Sequence, residues 1–142
     1  MAIWKQKVDF DQLHGGQNIN TLLDIRFEDY GDDWISASIP VDHRTHQPYG
    51  ILHGGASVVL AETLGSTASY LCIDKDKFYC VGLEVNANHL RAVRSGRVTA
   101  TARPVHLGRT THVWDIRLHN DAGEPTCISR LTIAVVPVKS AD

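Results

Sequence analysis

The sequence predicts an α+β fold in which a curved, largely antiparallel sheet of about six strands wraps one long central helix. The run from Ala56 to Cys72 is small and apolar on nearly every side, and Glu62 is the single formal charge between Arg44 and Asp74. That run is too long for a strand and reads as a buried helix. Two strand-like segments precede it and four follow, joined by turns too short for crossover helices. A helix lacking a polar face cannot rest on a half-solvated sheet. The sheet must wrap it, and another subunit must cover what the sheet leaves.

The elements follow in order. Asp9 to Gly16 reads as a short helix with Phe10 and Leu13 on one face, ended by Gly15-Gly16. Leu22 to Tyr30 alternates around Leu23, Ile25 and Phe27, and Gly31-Asp32-Asp33 is a turn. Trp34 to Val41 puts Ile35, Ala37 and Ile39 on one face and Ser36 and Ser38 on the other, completing a hairpin. Pro40 and Pro48 bracket an irregular polar connection to His53. Beyond the helix, Phe78 to Arg91 is apolar, then Asn-rich and basic. Arg97 to Pro104 alternates around Val98, Ala100 and Ala102. His112 to His119 sets Trp114, Ile116 and Leu118 against Asp115, Arg117 and His119. The turn from Asp121 to Glu124 leads into a last strand, Thr126 to Val136.

The 142 residues are expected to form one domain, 1–142, large enough for a core without staples. Fourteen Lys and Arg against sixteen Asp and Glu leave a net charge of −2 with no basic run, which argues against binding nucleic acid or a membrane surface. Cys72, Cys80 and Cys127 follow no disulfide or zinc spacing and are expected as reduced core residues. No secretory signal or bilayer-spanning stretch is evident, so the expected location is the cytoplasm.

Chemistry concentrates around Glu62. A carboxylate in an apolar helix loses hydration worth several kcal/mol, so it is either paired structurally, for example with an Arg of the sheet, or kept for reaction. His53-Gly54-Gly55 stands just ahead of it. The first N–H groups of a helix lack internal partners and favour negative charge, so Gly54 and Gly55 could donate to a developing oxyanion; a tight turn with no ligand is the plain alternative. Glu62 lies seven positions after Gly55, about 10 Å along the axis, so cooperation is simplest between two subunits. His53 could orient a carbonyl or merely support the turn. Gln47 offers an amide donor, and Ser66, one turn beyond Glu62, could hold a water or bond the backbone. His43, His46 and His53 match no metal-ligand spacing, and no metal is expected. Two further blocks, Asn86 to Arg94 and His106 to Thr111, mix cations and donors suited to phosphate, or else form solvated strand ends.

Three blocks in order, Gln47 to Ser57 with Glu62 following, Gly82 to Arg91, and His106 to Arg109, resemble the hot-dog-fold acyl-CoA thioesterases of the PaaI-like clade. The similarity runs from about Ile3 to Val136. Within that clade the chain resembles the bacterial 1,4-dihydroxy-2-naphthoyl-CoA thioesterases of menaquinone synthesis and the proofreading thioesterases of enterobactin synthesis. The resemblance implies a homodimer with a continuous sheet and shared active sites, usually a dimer of dimers. It implies metal- and cofactor-free hydrolysis of an aromatic or medium-chain acyl-CoA, with an acyl carrier protein as a possible partner. By position, Glu62 becomes nucleophile or general base, and the Gly55 N–H polarises the thioester carbonyl. Gln47 and His53 assist the carbonyl and leaving group, and Ser66 supports the reacting water. Gly82, His89, Leu90, Arg91, Ala92, His106, Leu107, Gly108, Arg109, Thr110 and Thr111 line the coenzyme A channel. Thr110 and Thr111 depart from a more basic or bulkier family pair. The rival readings are a hot-dog dehydratase or hydratase, disfavoured because His53 adjoins the helix glycines, and a non-catalytic acyl-CoA-binding module.

Overall fold

The computed structural model describes residues 1–139, so the last three positions of the expected 1–142 unit lie outside the described part. The long helix, α3, spans Gly54–Leu71. Leu60, Ala61, Leu64, Ala68 and Leu71, at helical spacing, are sealed against the sheet. Glu62, Thr63, Ser66 and Thr67 are only half-buried, so α3 has two unlike faces where the sequence pattern showed little difference. Gly65 sets the closeness of helix and sheet. A Cβ there would lie 2.5 Å from Leu131 Cδ2 and 3.1 Å from Ile116 Cδ1.

Two short helices, α1 (Phe10–Leu13) and α2 (Ile19–Leu22), precede the strands. The strands are β1 (Arg26–Tyr30), β2 (Ile35–Pro40), β3 (Phe78–His89), β4 (Arg97–Leu107), β5 (Thr111–His119) and β6 (Pro125–Pro137). They form one sheet in the order β1-β2-β4-β5-β6-β3, antiparallel at each pairing, which with α3 is the hot-dog fold. The hairpin of β1 and β2 is present as expected.

Several boundaries differ for local reasons. α1 is shorter than the helix read from Asp9 to Gly16, because Asp9 is its N-cap, accepting from the N–H groups of Asp11 and Gln12. The strand expected from Leu22 begins at Arg26. Asn18 and Thr21 form a capping box that makes residues 19–22 helical, and Asp24 turns the chain at φ 53°. β4 continues past Pro104 because a bulge between Pro104 and His106 absorbs the missing N–H. Ser36 and Ser38, expected on an open face, are buried. Arg97 explains Ser38: its Nε donates to Ser38 Oγ at 2.8 Å while its other nitrogens bond the Asp24 carboxylate and carbonyl. Burial pushes the Asp24 carboxyl up, but hydrogen bonds from Arg26 and Arg97 outweigh it and hold its pKa below the usual value.

The sheet's two edges are unlike. β1 is five residues long and carries Arg26, Glu28 and Asp29. β3 is twelve residues long and exposes Tyr79, Val81 and Leu83. Cys72 and Cys127 are buried, Cys80 is half-buried, and all three are free, with burial pushing the Cys72 thiol up to about 12.

Candidate active site

At the start of α3 the chain turns tightly on Gln47, whose carbonyl accepts from Gly50 N–H at 2.9 Å. The Gln47 side-chain oxygen accepts from Tyr49 N–H, which leaves its amide nitrogen as the group available to a ligand. His53 is the N-cap of α3, and its Nδ1 accepts from Gly55 N–H at 2.8 Å. An accepting Nδ1 carries no proton, so the neutral ring holds its proton on exposed Nε2. The Gly55 N–H is therefore engaged within the turn, unlike the donor role expected for it. Gly54, one residue earlier, has an N–H with no hydrogen-bond partner among the described residues.

Gly54 also packs against the end of β3. A Cβ there would lie 2.9 Å from His89 Nε2, so the imidazole rests on a bare backbone. Gln47 and Gly54 face His89, Leu90, Arg91 and Ala92 across a cavity of about 410 Å³. Ser57 and Thr126, both buried, also border it, and Thr126 Oγ1 is a buried hydroxyl without a partner among the described residues. Neither was singled out from sequence, since nothing local marks a Ser or Thr as cavity-lining. Arg91 pairs with Glu124 at 3.2 Å on an exposed surface.

Glu62 lies eight residues after Gly54, about 12 Å along the helix. It is half-buried and makes no hydrogen bond or ion pair among the described residues, so the structural pairing with an Arg does not occur. Its carboxylate instead rests on Gly82 of β3, where a Cβ would lie 2.7 Å from Oε1. Gly82 thus sits beside Glu62 and apart from the cavity that holds His89 to Ala92. Beside Glu62, Thr63 donates its hydroxyl to Asn20 Oδ1 at 3.2 Å, tying α2 to α3. Ser66 is half-buried one turn further on.

The second expected block, His106 to Thr111, forms the β4–β5 hairpin, closed by Gly108 N–H to Thr111 O at 2.9 Å. It does not meet the first block within the chain. His89 pairs with Cys127 and Thr111 with Ala134, seven residues apart on β6, or roughly 23 Å. The chain therefore presents two half-sites. One holds Gln47, His53, Gly54 and His89 to Ala92; the other holds Glu62 and Gly82, nearer the His106 to Thr111 hairpin.

A polar cluster that sequence reasoning missed lies deeper. Trp114 Nε1–H donates to Ser69 Oγ at 2.7 Å, and Ser69 Oγ is 2.9 Å from His112 Nδ1. Burial lowers the pKa of His112, and the charges of His106 and Lys5 act the same way.

Residues 49–127 match the family model described as the thioesterase superfamily. A 1,4-dihydroxy-2-naphthoyl-CoA hydrolase of Escherichia coli is 51% identical over 136 residues, covering 94% of this chain and 99% of that one. A proofreading thioesterase, EntH, of Cronobacter turicensis is 44% identical over 137 residues, covering 94% and 98%. The crystal structure of a mutant thioesterase from Pseudomonas aeruginosa superposes with a TM-score of 0.95 at 65% identity, covering 96% of this chain and 100% of that one. Among the described residues, no helix is long and apolar enough to cross a membrane.

Proposed function

The chain belongs to the thioesterase superfamily, and on that premise we propose that it hydrolyses an aromatic or medium-chain acyl-CoA, such as 1,4-dihydroxy-2-naphthoyl-CoA, to the free acid and CoA. The observation that carries the reading is Glu62, a half-buried carboxylate with no protein partner among the described residues. Glu62 either attacks the carbonyl carbon, expelling the CoA thiolate and leaving an anhydride that water cleaves, or takes a proton from the water that attacks. Gly54 N–H, His53 Nε2–H and the Gln47 amide are the donors for the carbonyl oxygen, with Gly55 N–H holding the His53 ring in the tautomer that can donate. Ser66 supports the reacting water. Arg91 and the hairpin cations receive the phosphates of CoA.

The site is completed by a second copy of the chain. β1 is short and charged, whereas β3 offers a long edge for pairing whose first half exposes Tyr79, Val81 and Leu83. Antiparallel addition of a second β3 would reverse direction, carrying the Gly82 half-site of one subunit toward the His89 half-site of the other. A dimer of dimers is the expected assembly, and menaquinone synthesis is the setting that the family resemblance implies. The relative named as a proofreading thioesterase favours a second reading, which we take to be hydrolysis of misacylated carrier protein.

Glu62→Gln is expected to fold and bind acyl-CoA while losing about 10²–10⁴ in turnover, read with a thiol-reactive dye on benzoyl-CoA. Wild-type turnover in that variant sinks the assignment. A panel of aryl-, hydroxyaryl- and alkyl-CoA substrates with one acylated carrier protein separates the two substrate readings. Single-turnover hydrolysis in oxygen-18 water separates the two routes, since label in Glu62 marks the anhydride.

A further inference from the structure

We infer that Gly82 is a positioning residue for Glu62, its bare Cα serving as the seat that fixes where the carboxylate stands. The inference rests on Glu62 being the reacting group. Glu62 has no hydrogen bond or ion pair among the described residues, so packing is what the chain itself supplies to place it. That packing includes Gly82, where an added Cβ would lie 2.7 Å from Oε1 and 3.7 Å from Cδ. The seat occupies an irregularity of β3. Pairing runs from Gly82 with Ile133 to Glu84 with Thr132, so Leu83 is the extra residue of a bulge. Bulges bend a strand and re-aim its residues, and they concentrate beside active sites. A glycine inside a strand interior is otherwise unfavourable, and close approach by another group is one reason to retain it.

A Cβ at Gly82 would displace the end of a flexible side chain while leaving the backbone in place, so folding tolerates the change. Catalysis does not, because a reacting group displaced by about 1 Å can cost about 10² in rate. This role is kinetically distinct from the channel-lining role that the family resemblance implies for Gly82. A channel residue acts on KM, a seat on kcat.

The test compares wild type, Gly82→Ala, Glu62→Asp and the double variant, using benzoyl-CoA kinetics and crystal structures. In Gly82→Ala the Glu62 carboxylate is expected to move while the backbones of α3 and β3 hold position. Its kcat is expected to fall about 10–100-fold with KM little changed. In the Glu62→Asp background the carboxylate is one methylene shorter, so adding Gly82→Ala has no further effect. An unmoved carboxylate, independent losses in the two backgrounds, or a raised KM with kcat retained each overturns the inference. Should Gly82→Ala not fold, recovery of folding in the double variant supports the clash and continued failure overturns it. Wild-type turnover by Glu62→Gln would instead refute the catalytic reading, leaving the carboxylate displacement as the separate measure of the seat.

Discussion

Replacing Ser69 with alanine removes the hydroxyl that joins α3 to β5. Ser69 and Trp114 are 0% exposed and His112 is 4% exposed, so water cannot substitute. The Ser69 oxygen accepts from the Trp114 indole at 2.7 Å and is also hydrogen-bonded to His112 Nδ1 at 2.9 Å. Alanine strands two buried polar groups, the Trp114 indole N–H and His112 Nδ1, each costing about 1–3 kcal/mol. Helix propensity returns only about 0.5 kcal/mol. The expected loss is therefore about 2–5 kcal/mol, read as a lower urea midpoint at unchanged m-value and fixed protomer concentration. Ser66→Ala, at a half-buried site one turn away from Glu62, is expected to stay within about 0.5 kcal/mol of wild type. A comparably small loss for Ser69→Ala would refute the network, since it would mean that neither stranded group was truly cut off from water.

Gly65→Ala is expected to destabilise by up to about 2 kcal/mol in thermal melts, because overpacking against Leu131 and Ile116 exceeds the roughly 1 kcal/mol gained in helix propensity; a stabilised variant contradicts the close helix–sheet contact. Glu124→Gln frees Arg91 from an exposed pair worth about 0.5–1 kcal/mol, so KM for acyl-CoA should fall about 2–5-fold at low salt. The same fall with a thioester lacking the nucleotide would contradict a phosphate role for Arg91. For His112, burial lowers the folded pKa below 6.5, so unfolded chains take up its proton first as pH drops and the folded state loses stability below about 6.5. His112→Gln should flatten that loss between about pH 7 and 5.5 in melts, and equal slopes refute it. Mixing Glu62→Gln with Gln47→Ala subunits should restore activity toward about a quarter of wild type, since half the dimers are hybrids with one intact site each. No gain over the parents contradicts a shared site.

Legibility tracked how local the deciding interaction is. α3 and the later strands were readable because their periodicity reports burial directly, as with Trp114, Ile116 and Leu118 on one face of β5. α2 was not, because Leu23, Ile25 and Phe27 alternate like a strand while the capping of Asn18 and Thr21 decides the backbone. His112 shares the parity of Trp114 on β5, but their partner Ser69 is more than forty residues away in sequence. The same applies to Lys5 and Gln6, whose N–H groups bond Leu71 O and close the C-terminal end of α3. At the candidate site, Glu62 and the glycine pair stood out by composition. Which glycine keeps an unpaired N–H did not, because that depends on the His53 ring folding back onto Gly55. A glycine within β3 signalled a close approach to something, and only the fold identifies Glu62 as the neighbour.

On the proposed reading the open β3 edge and the carboxylate without a partner among the described residues are two aspects of one arrangement. A carbonyl whose oxygen accepts from a backbone N–H at about 3 Å has its carbon about 1.2 Å further on, and attack needs about 3–3.5 Å more, so one substrate bridges roughly 7–8 Å. Gly54 and Glu62 are about 12 Å apart along α3, and the Glu62 side chain is turned onto Gly82, seven residues along β3 from the point where Gly54 packs. Closing that gap within one chain would require Glu62 to leave its seat and extend back along the helix. On the proposed reading a second β3 added antiparallel needs no such movement, because reversal would bring the opposite half-site toward Gly82. The strand that seats Glu62 is also the strand left open for pairing, so on the proposed reading a substitution that blocks the β3 edge should abolish turnover even with Glu62, His53 and Gln47 intact.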